Sequence, residues 1–216
     1  MTASGLRDQS VESSRGDILD AAANCFMERG YTETSIDDVA RSLGATKGRI
    51  YHHYRSKADI FAEVFRIGMD MNYAAIEPFR NMGGPAALRW QKMAFAHAVQ
   101  MVVTKPYQRT VWVGVKMHLR GATTPEQRSV FEELLNYRTE YANVFREAII
   151  QGRQDGDFHF DDLSITNQLM FVTLNSPIFW YAPRAGETRA DIEYLAAQVV
   201  TAAYRGLGGE EKGKRP

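Results

Sequence analysis

Five cationic side chains lie close together near the N-terminus of this 216-residue sequence, in a stretch that contains no carboxylate. Lysine and arginine neutralise phosphate oxygens, so a local run of one sign is the footprint expected of a nucleic-acid contact. The whole chain carries 26 basic and 26 acidic residues, so any such attraction is local to this stretch. It is bounded by Asp38 and Asp59, and its cations are Arg41, Lys47, Arg49, Arg55 and Lys57.

The elements that have to position these cations have the spacing of a helix-turn-helix over residues 35–54. Ser35 and Asp38 form the capping signal of a short helix, and Gly44 marks the tight turn after it. Thr46 begins a second short helix, whose first residues point toward base edges when such a unit enters the major groove. The pattern therefore predicts a DNA-binding unit.

Helical spacing continues along the rest of the chain, and strand signals are scarce. The first helix is predicted to start after Ser14, and Pro177 is predicted to kink a long apolar helix near the C-terminus. We therefore predict an all-α fold, with an N-terminal three-helix helix-turn-helix DNA-binding domain and a C-terminal helical bundle for ligand binding and dimerisation. The predicted parts are a flexible N-terminal arm (1–13), the DNA-binding domain (14–60), the effector-binding and dimerisation domain (61–206) and a disordered tail (207–216).

The composition is that of an ordinary globular protein, since 44% of the residues are hydrophobic and 24% are charged. The single cysteine, Cys25, excludes an internal disulfide framework. No stretch is apolar enough for a signal peptide or a membrane span, so we expect a cytoplasmic protein without a membrane partner. The acidic stretch 155–162 lacks the glycine and the closing glutamate of a calcium loop, so we expect neither a metal nor another cofactor.

Residues 18–65 resemble the DNA-binding domain of TetR-family transcriptional regulators. The resemblance is carried by the run Leu-Gly-Ala-Thr-Lys-Gly-Arg-Ile-Tyr-His-His-Tyr over residues 43–54, followed by Ser56 and Lys57. It implies a homodimer on double-stranded, palindromic operator DNA, with Lys57 on a phosphate. Arg49 stands where many members have a small or uncharged residue, and the sequence leaves open whether it contacts guanine or phosphate. The residues that the resemblance places at or near DNA, besides Lys57, are Thr46, Lys47, Arg49, Tyr51, His52 and Tyr54. The predicted DNA-binding residues also include Ser35, and Gly48, because glycine lets the backbone approach the duplex closely.

A sensor domain needs an apolar cavity with a few polar groups, and the C-terminal part of the chain is rich in suitable side chains. Each of them is equally suited to filling the core, and the sequence leaves this alternative open. Arg138 and Arg146, in an otherwise apolar helix, are solvated, paired or aimed at an anionic effector. The predicted effector-binding residues are Phe65, Met69, Tyr73, Trp90, Met93, His97, Met101, Trp112, Tyr137, Tyr141, Phe145 and Phe171.

The segment from Gly152 to Asp161, followed by Trp180-Tyr181 and Pro183, resembles family members that sense fatty-acyl or steroid-derived coenzyme A thioesters. This resemblance implies a hydrophobic small-molecule effector, with an acyl-CoA thioester as the hypothesis. The last two predicted helices are the expected homodimer interface, because the first of them is apolar over most of its circumference.

Two other classes of protein have to be weighed against a regulator. An enzyme is not expected, because the sequence has no nucleophile elbow, phosphate loop, zinc-protease helix or dinucleotide fingerprint. A helical protein-interaction adaptor without DNA binding remains the alternative, since a basic helical face is often only solvated.

Overall fold

The computed structural model describes residues 3–119 and 124–209, without the side chains of residues 3–13, 115–119, 126 and 127. Every regular element within these ranges is an α-helix, which confirms the predicted all-α class. None of these helices is long and apolar enough to span a membrane. They are α1 (Ala3–Arg29), α2 (Ile36–Ser42), α3 (Lys47–His53), α4 (Lys57–Arg80), α5 (Ala86–Val103), α6 (Lys105–Leu119), α7 (Pro125–Gln154), α8 (Leu163–Asn175), α9 (Pro177–Trp180) and α10 (Arg189–Gly206).

The chain divides into two compact units, and α4, α6 and α7 contribute residues to both. Unit 1 comprises Met1–Met69 and Pro106–Asn136, and unit 2 comprises Asp70–Lys105 and Tyr137–Pro216. These units are defined by which residues pack together. The predicted domains are defined by function, DNA binding and effector binding, so their limits stay predictions.

One face of α1 forms part of the core of unit 1. Ile18, Ala22 and Phe26 recur every fourth residue, and all three are buried. The Phe26 ring meets the Phe61 ring of α4 edge to face, with centroids 5.3 Å apart. Gly30 ends α1 as a left-handed residue with φ 82°, a conformation that glycine adopts without steric cost.

The start of α1 differs from the prediction. The helix begins at Ala3, so the predicted start after Ser14 is wrong, and residues 3–13, predicted as a flexible arm, belong to this helix. Ser14 does not cap a helix, and its hydroxyl oxygen accepts a hydrogen bond from Arg49 Nε at 3.1 Å. The serine that reads as a cap in the sequence therefore joins α1 to α3.

The C-terminal helices also differ in detail. The predicted long helix divides where Pro177 lacks an amide hydrogen, so that α8 ends at Asn175 and α9 begins at Pro177. Leu207 is fully buried, and its carbonyl oxygen accepts a hydrogen bond from the backbone amide of His159 at 2.9 Å. The predicted disordered tail therefore does not begin at residue 207, and residues 210–216 lie outside the described residues.

Trp90 of α5 lies at the centre of the packing in unit 2. The rings of Phe158 and Tyr204 each have their centroids 6.0 Å from that of Trp90, and Trp90 Nε1 donates to the sulfur of Met170 at 3.2 Å. A Cβ added at Gly152 would lie 2.4 Å from the Phe158 ring, so only glycine permits this approach. Gly152 and Phe158, in the segment that resembles coenzyme A sensors, thus have a packing role.

Candidate nucleic-acid interface and effector cluster

The helix-turn-helix consists of α2, a tight turn and α3, and its local signals are those expected. Ser35 Oγ accepts a hydrogen bond from the Asp38 amide at 3.1 Å, and the Ser35 amide donates to Asp38 Oδ2 at 2.9 Å. Hydrogen bonds from Ser35 lower the pKa of Asp38 to about 2. Gly44 makes the turn with φ 63°. Thr46 is the N-cap of α3 by position, with extended backbone, but its side chain makes no capping hydrogen bond.

One side of α3 anchors the helix and the other side is open. Ile50 is fully buried and fixes α3 in the core of unit 1, while Gly48 lies on the exposed side. Among the described atoms, a Cβ added at Gly48 would meet only Thr46 Oγ1, at 3.8 Å, so packing against the described residues does not require glycine there. The exposed side chains of α3 are those of Lys47, Arg49, Tyr51 and His52.

Two of these exposed cations have carboxylate partners in the DNA-free protein. Lys47 Nζ lies 2.8 Å from Asp37 Oδ2, a hydrogen bond that raises the pKa of Lys47. Arg49 Nη2 lies 3.3 Å from Asp17 Oδ2 on α1. Exposed ion pairs contribute little to stability, so phosphate oxygens or base edges can replace these carboxylates at small cost.

Lys57, the first residue of α4, is engaged inside the protein. Its ammonium donates to the backbone carbonyls of Tyr31 at 2.7 Å, Thr34 at 2.7 Å and Thr32 at 3.3 Å, in the loop between α1 and α2. An ammonium has three N–H donors, so these acceptors use its whole capacity. Burial lowers the pKa of Lys57. The predicted phosphate contact would have to break these hydrogen bonds, and we therefore assign Lys57 a positioning role.

Tyr54 is the predicted DNA residue that the structure places farthest from solvent. Its side chain is 4% exposed, and burial raises the pKa of its phenol to about 12. The phenolic oxygen accepts a hydrogen bond from Arg15 Nε at 3.2 Å, and Arg15 Nη2 in turn donates to Glu63 at 2.7 Å. Arg15 thus links Tyr54 to Glu63 of α4, which gives Tyr54 a packing role in the core, and the prediction that it lies at or near DNA stays a prediction.

Arg55 is a candidate that the family resemblance does not include. It is exposed in the bend between α3 and α4, and among the described residues nothing pairs with its guanidinium. The sequence contains the signal, because Arg55 belongs to the run of cations. Sequence alone does not tell which members of that run are engaged within the protein.

The structure brings half of the predicted effector-binding residues into one aromatic cluster in unit 2. His97 of α5 lies 5.7 Å from Tyr141, 5.9 Å from Phe145 and 5.9 Å from Phe171, centroid to centroid. Tyr73 lies 5.0 Å from Tyr141 and stacks on Tyr137 at 4.8 Å. We call the following six residues the aromatic cluster: Tyr73, His97, Tyr137, Tyr141, Phe145 and Phe171.

A neutral hydrogen-bond chain runs through the aromatic cluster. Asn175 Oδ1 lies 2.9 Å from His97 Nε2, and because this oxygen only accepts, Nε2 carries the proton. Nδ1 is then free to accept from the Tyr141 hydroxyl, 2.8 Å away. Burial lowers the pKa of His97 to about 4 and raises that of Tyr141, so both are neutral near pH 7.

The other predicted effector residues are not part of this cluster. Trp90 packs with Phe158 and Tyr204, and Met93 and Met101 are buried on the same helix. The remaining three, Phe65, Met69 and Trp112, belong to unit 1. A Cβ added at Gly114 would lie 2.6 Å from the Phe65 ring, which indicates a packing role for that ring.

Comparison with known proteins connects both units to one group. Residues 18–64 match the family model described as "Bacterial regulatory proteins, tetR family". Residues 92–207, more than half of the chain, match the model described as "Tetracyclin repressor-like, C-terminal domain".

Full-length relatives agree with these matches. The HTH-type transcriptional repressor KstR2 of Mycobacterium tuberculosis is 25% identical over 197 residues, 86% of this chain and 91% of the relative. The fatty acid metabolism regulator protein of Bacillus subtilis is 23% identical over 196 residues, 88% of this chain and 93% of the relative. The solved structure of the ketosteroid transcriptional regulator KstR2 of Mycobacterium tuberculosis has the same fold, with TM-score 0.75, 22% identity and coverage of 91% of this chain and 95% of that one.

Replacing Gly48 by alanine should affect stability and DNA binding in opposite directions. Alanine favours a helix interior by about 0.8–1 kcal/mol over glycine and meets no atom closer than 3.8 Å, so the melting temperature should rise by about 2–4 °C. If the backbone of α3 lies against DNA, the added methyl group should weaken operator binding about tenfold or more in fluorescence anisotropy. Gly206→Ala, also helical and unobstructed but in unit 2, is the control and should bind as the wild type does. Unchanged operator affinity in Gly48→Ala would show that this backbone does not approach DNA.

The salt dependence of DNA binding distinguishes the role of Lys57 from that of Arg55. Removing one cation that binds a phosphate should reduce the slope of log affinity against log salt concentration by about 0.9. Arg55→Met should lower the slope in this way with little change in melting temperature. Lys57→Met should weaken binding while leaving the slope unchanged, and should destabilise unit 1 by about 1–3 kcal/mol because its charge-assisted hydrogen bonds are removed.

One outcome would contradict the positioning role of Lys57. A lower slope for Lys57→Met with an unchanged melting temperature would make Lys57 a phosphate contact, as the family resemblance implies.

Proposed function

Because the chain belongs to the TetR family of bacterial regulatory proteins, we propose that it is a ligand-responsive repressor, released from a palindromic operator by a hydrophobic small molecule. The observation that carries the proposal is the exposed face of α3, where Lys47, Gly48 and Arg49 stand at the N-terminal end of the second helix of a helix-turn-helix. This is the end that reads base edges in such motifs. We propose that the complex forms in the cytoplasm and that the protein catalyses no reaction.

Within the proposed complex, α3 lies in the major groove and its exposed side chains make different contacts with the DNA. Arg49 has the forked donor geometry that suits guanine O6 and N7, once Asp17 releases it. Lys47, Tyr51 and His52 are exposed on the same short helix and supply further contacts. Thr46 leaves the first amides of α3 without a side-chain partner, and amides of this kind favour phosphate oxygens.

A second copy of the chain is the proposed partner of α8 and α9, which correspond to the first of the two helices predicted for the interface, and of α10, which corresponds to the second. Ile165, Leu169 and Val172 follow one another at spacings of four and three on α8, and each is more than half exposed. Phe179 and Trp180 of α9 are about half exposed. Large apolar side chains concentrated in this way mark an interface, and a two-fold axis would cover each patch with its own copy.

The proposed effector is an apolar compound that binds at the aromatic cluster. The relatives named for ketosteroid regulation and for fatty acid metabolism support a lipid-like ligand, and an acyl-CoA thioester remains the first hypothesis. Aromatic side chains give a site of this kind its apolar walls, while the His97 chain supplies a few oriented polar groups.

Helix α4 is the proposed route from effector to DNA. It starts at Lys57, which holds the loop before α2, and it continues without interruption to Arg80. Its later residues include Tyr73, a member of the aromatic cluster. A ligand that favours one position of this helix would change operator affinity, provided that the ligand binds the two positions with different affinity.

Introducing a charge on α8 tests the proposed dimer. Val172→Asp should weaken self-association on the order of 100-fold, because a two-fold interface carries every substitution twice and each carboxylate loses water on burial. Sedimentation equilibrium should find a monomer. Val130→Asp on α7, an exposed valine outside the patch, is the matched control and should remain dimeric. A Val172→Asp protein that dimerises as the wild type does would place the interface elsewhere.

Gel retardation tests the regulator against the adaptor. The protein should retard DNA taken from upstream of its own gene, with affinity that falls steeply as salt rises, since phosphate binding releases counterions. An acyl-CoA thioester should abolish the retardation and raise the melting temperature by mass action. Absence of specific retardation at any salt concentration would favour the adaptor, and retardation insensitive to lipophilic compounds would remove the effector part of the proposal.

A further inference from the structure

Helix α7 presents a stripe of buried side chains within unit 2, and one member of the stripe is an arginine. Tyr141, Phe145 and Ile149 follow one another at spacings of four, and all are at most 3% exposed. Arg138 stands three residues before Tyr141, the spacing that continues the same face. Arg138 thus places a cation on the face of α7 that carries apolar and aromatic side chains in the following turns.

Arg138 has no partner among the described residues. It is partly buried, and neither a hydrogen bond nor an ion pair joins it to any of them. Burial lowers the pKa of Arg138, and no carboxylate acts in the opposite direction. Asp70, a carboxylate of the same unit, already accepts a hydrogen bond from the Tyr137 hydroxyl, with the two oxygen atoms 2.7 Å apart.

The surroundings of Arg138 do not neutralise it. Its charge acts on His97, whose pKa it helps to lower, so the two side chains are within electrostatic range. His97, Tyr141 and Asn175 form the neutral hydrogen-bond chain described above, which contributes no negative charge. Withdrawing an unpaired guanidinium from water is unfavourable, and in proteins such a group ordinarily finds an anion.

We propose that Arg138 binds the anionic end of the effector, a carboxylate or a phosphate attached to an otherwise apolar body that packs on Tyr141, Phe145 and Phe171. The inference rests on the proposed function, since it names the chemical class of the effector. A planar guanidinium holds either group through two parallel hydrogen bonds. A free acid would present its carboxylate, and a coenzyme A thioester would present its phosphates.

The test compares Arg138→Met with Arg146→Met, which removes an arginine two turns further along α7 and outside the stripe. The anionic probes are dodecanoate, cholate and dodecanoyl-CoA, and the neutral probes are the methyl esters of the two acids. At least one anionic probe should raise the melting temperature of the wild type and of Arg146→Met, whereas the neutral esters should not.

The active probe identifies the anionic group that binds. Stabilisation by the acids identifies a carboxylate, and stabilisation by the thioester alone identifies a phosphate of coenzyme A.

Arg138→Met should lose at least tenfold in affinity for the active anionic probe. Without a probe its melting temperature should equal or exceed that of the wild type, because methionine removes an unpaired, partly buried charge and keeps similar bulk. The proposal is overturned if Arg138→Met binds the probe as the wild type does, if the esters act equally well, or if no anionic probe stabilises the wild type. A fall of several degrees in probe-free Arg138→Met would also overturn it, since that would reveal an internal partner.

Operator binding separates this inference from the proposed function. Probe-free Arg138→Met should retard operator DNA as the wild type does. If neither protein retards DNA, the proposed function fails while the melting temperatures still decide the role of Arg138. If both retard DNA and no anionic probe changes either the retardation or the melting temperature, the Arg138 inference fails while the DNA-binding part of the proposed function stands.

Discussion

The hydrogen bonds of the Lys57 ammonium are the contact on which the DNA-binding unit depends. The loop between α1 and α2 turns three carbonyl oxygens toward one point, and the first residue of α4 satisfies all of them. The same ammonium lies 4.4 Å from the centroid of the Tyr31 ring, which packs in turn on Phe61. Because α2 and α3 follow directly from this loop, the loop's position on α4 sets the direction in which α3 presents its exposed face.

The sequence predicts those parts of the fold that depend on neighbours within one helical turn. The capping box of Ser35 and Asp38, the tight turn at Gly44 and the interruption of the helix at Pro177 are local, and each lies where the sequence predicts it, although Pro177 divides the helix and does not merely kink it. The extent of α1 is different. Residues 3–13 are predominantly polar and carry no apolar stripe, so a helix there has no periodic signal that distinguishes it from an arm.

The candidate sites show where prediction from sequence stops. Tyr54 and Tyr51 are two aromatic residues three positions apart, yet one is buried and the other half exposed. Trp90 and His97 lie on one face of α5, but Trp90 packs against Phe158 whereas His97 packs against Tyr141 in the aromatic cluster. These distinctions depend on residues distant in sequence, Arg15 and Glu63 for Tyr54, and Asn175 for His97. A residue's type and spacing indicate that it is suited to a site, whereas tertiary contacts decide whether it is available.

If Lys47 and Arg49 contact DNA as proposed, their ion pairs with Asp37 and Asp17 affect how the protein discriminates between DNA sequences. A duplex must displace two of the protein's own carboxylates before these cations can contact it, so binding is an exchange of partners. On an arbitrary sequence the exchange gains little, since one anionic oxygen replaces another. On the operator, base edges add hydrogen bonds that the carboxylates never offered. In the proposed complex, the acidic residues beside the interface are therefore weak competitors of the duplex, and the contacts with base edges are what favour the operator over other sequences.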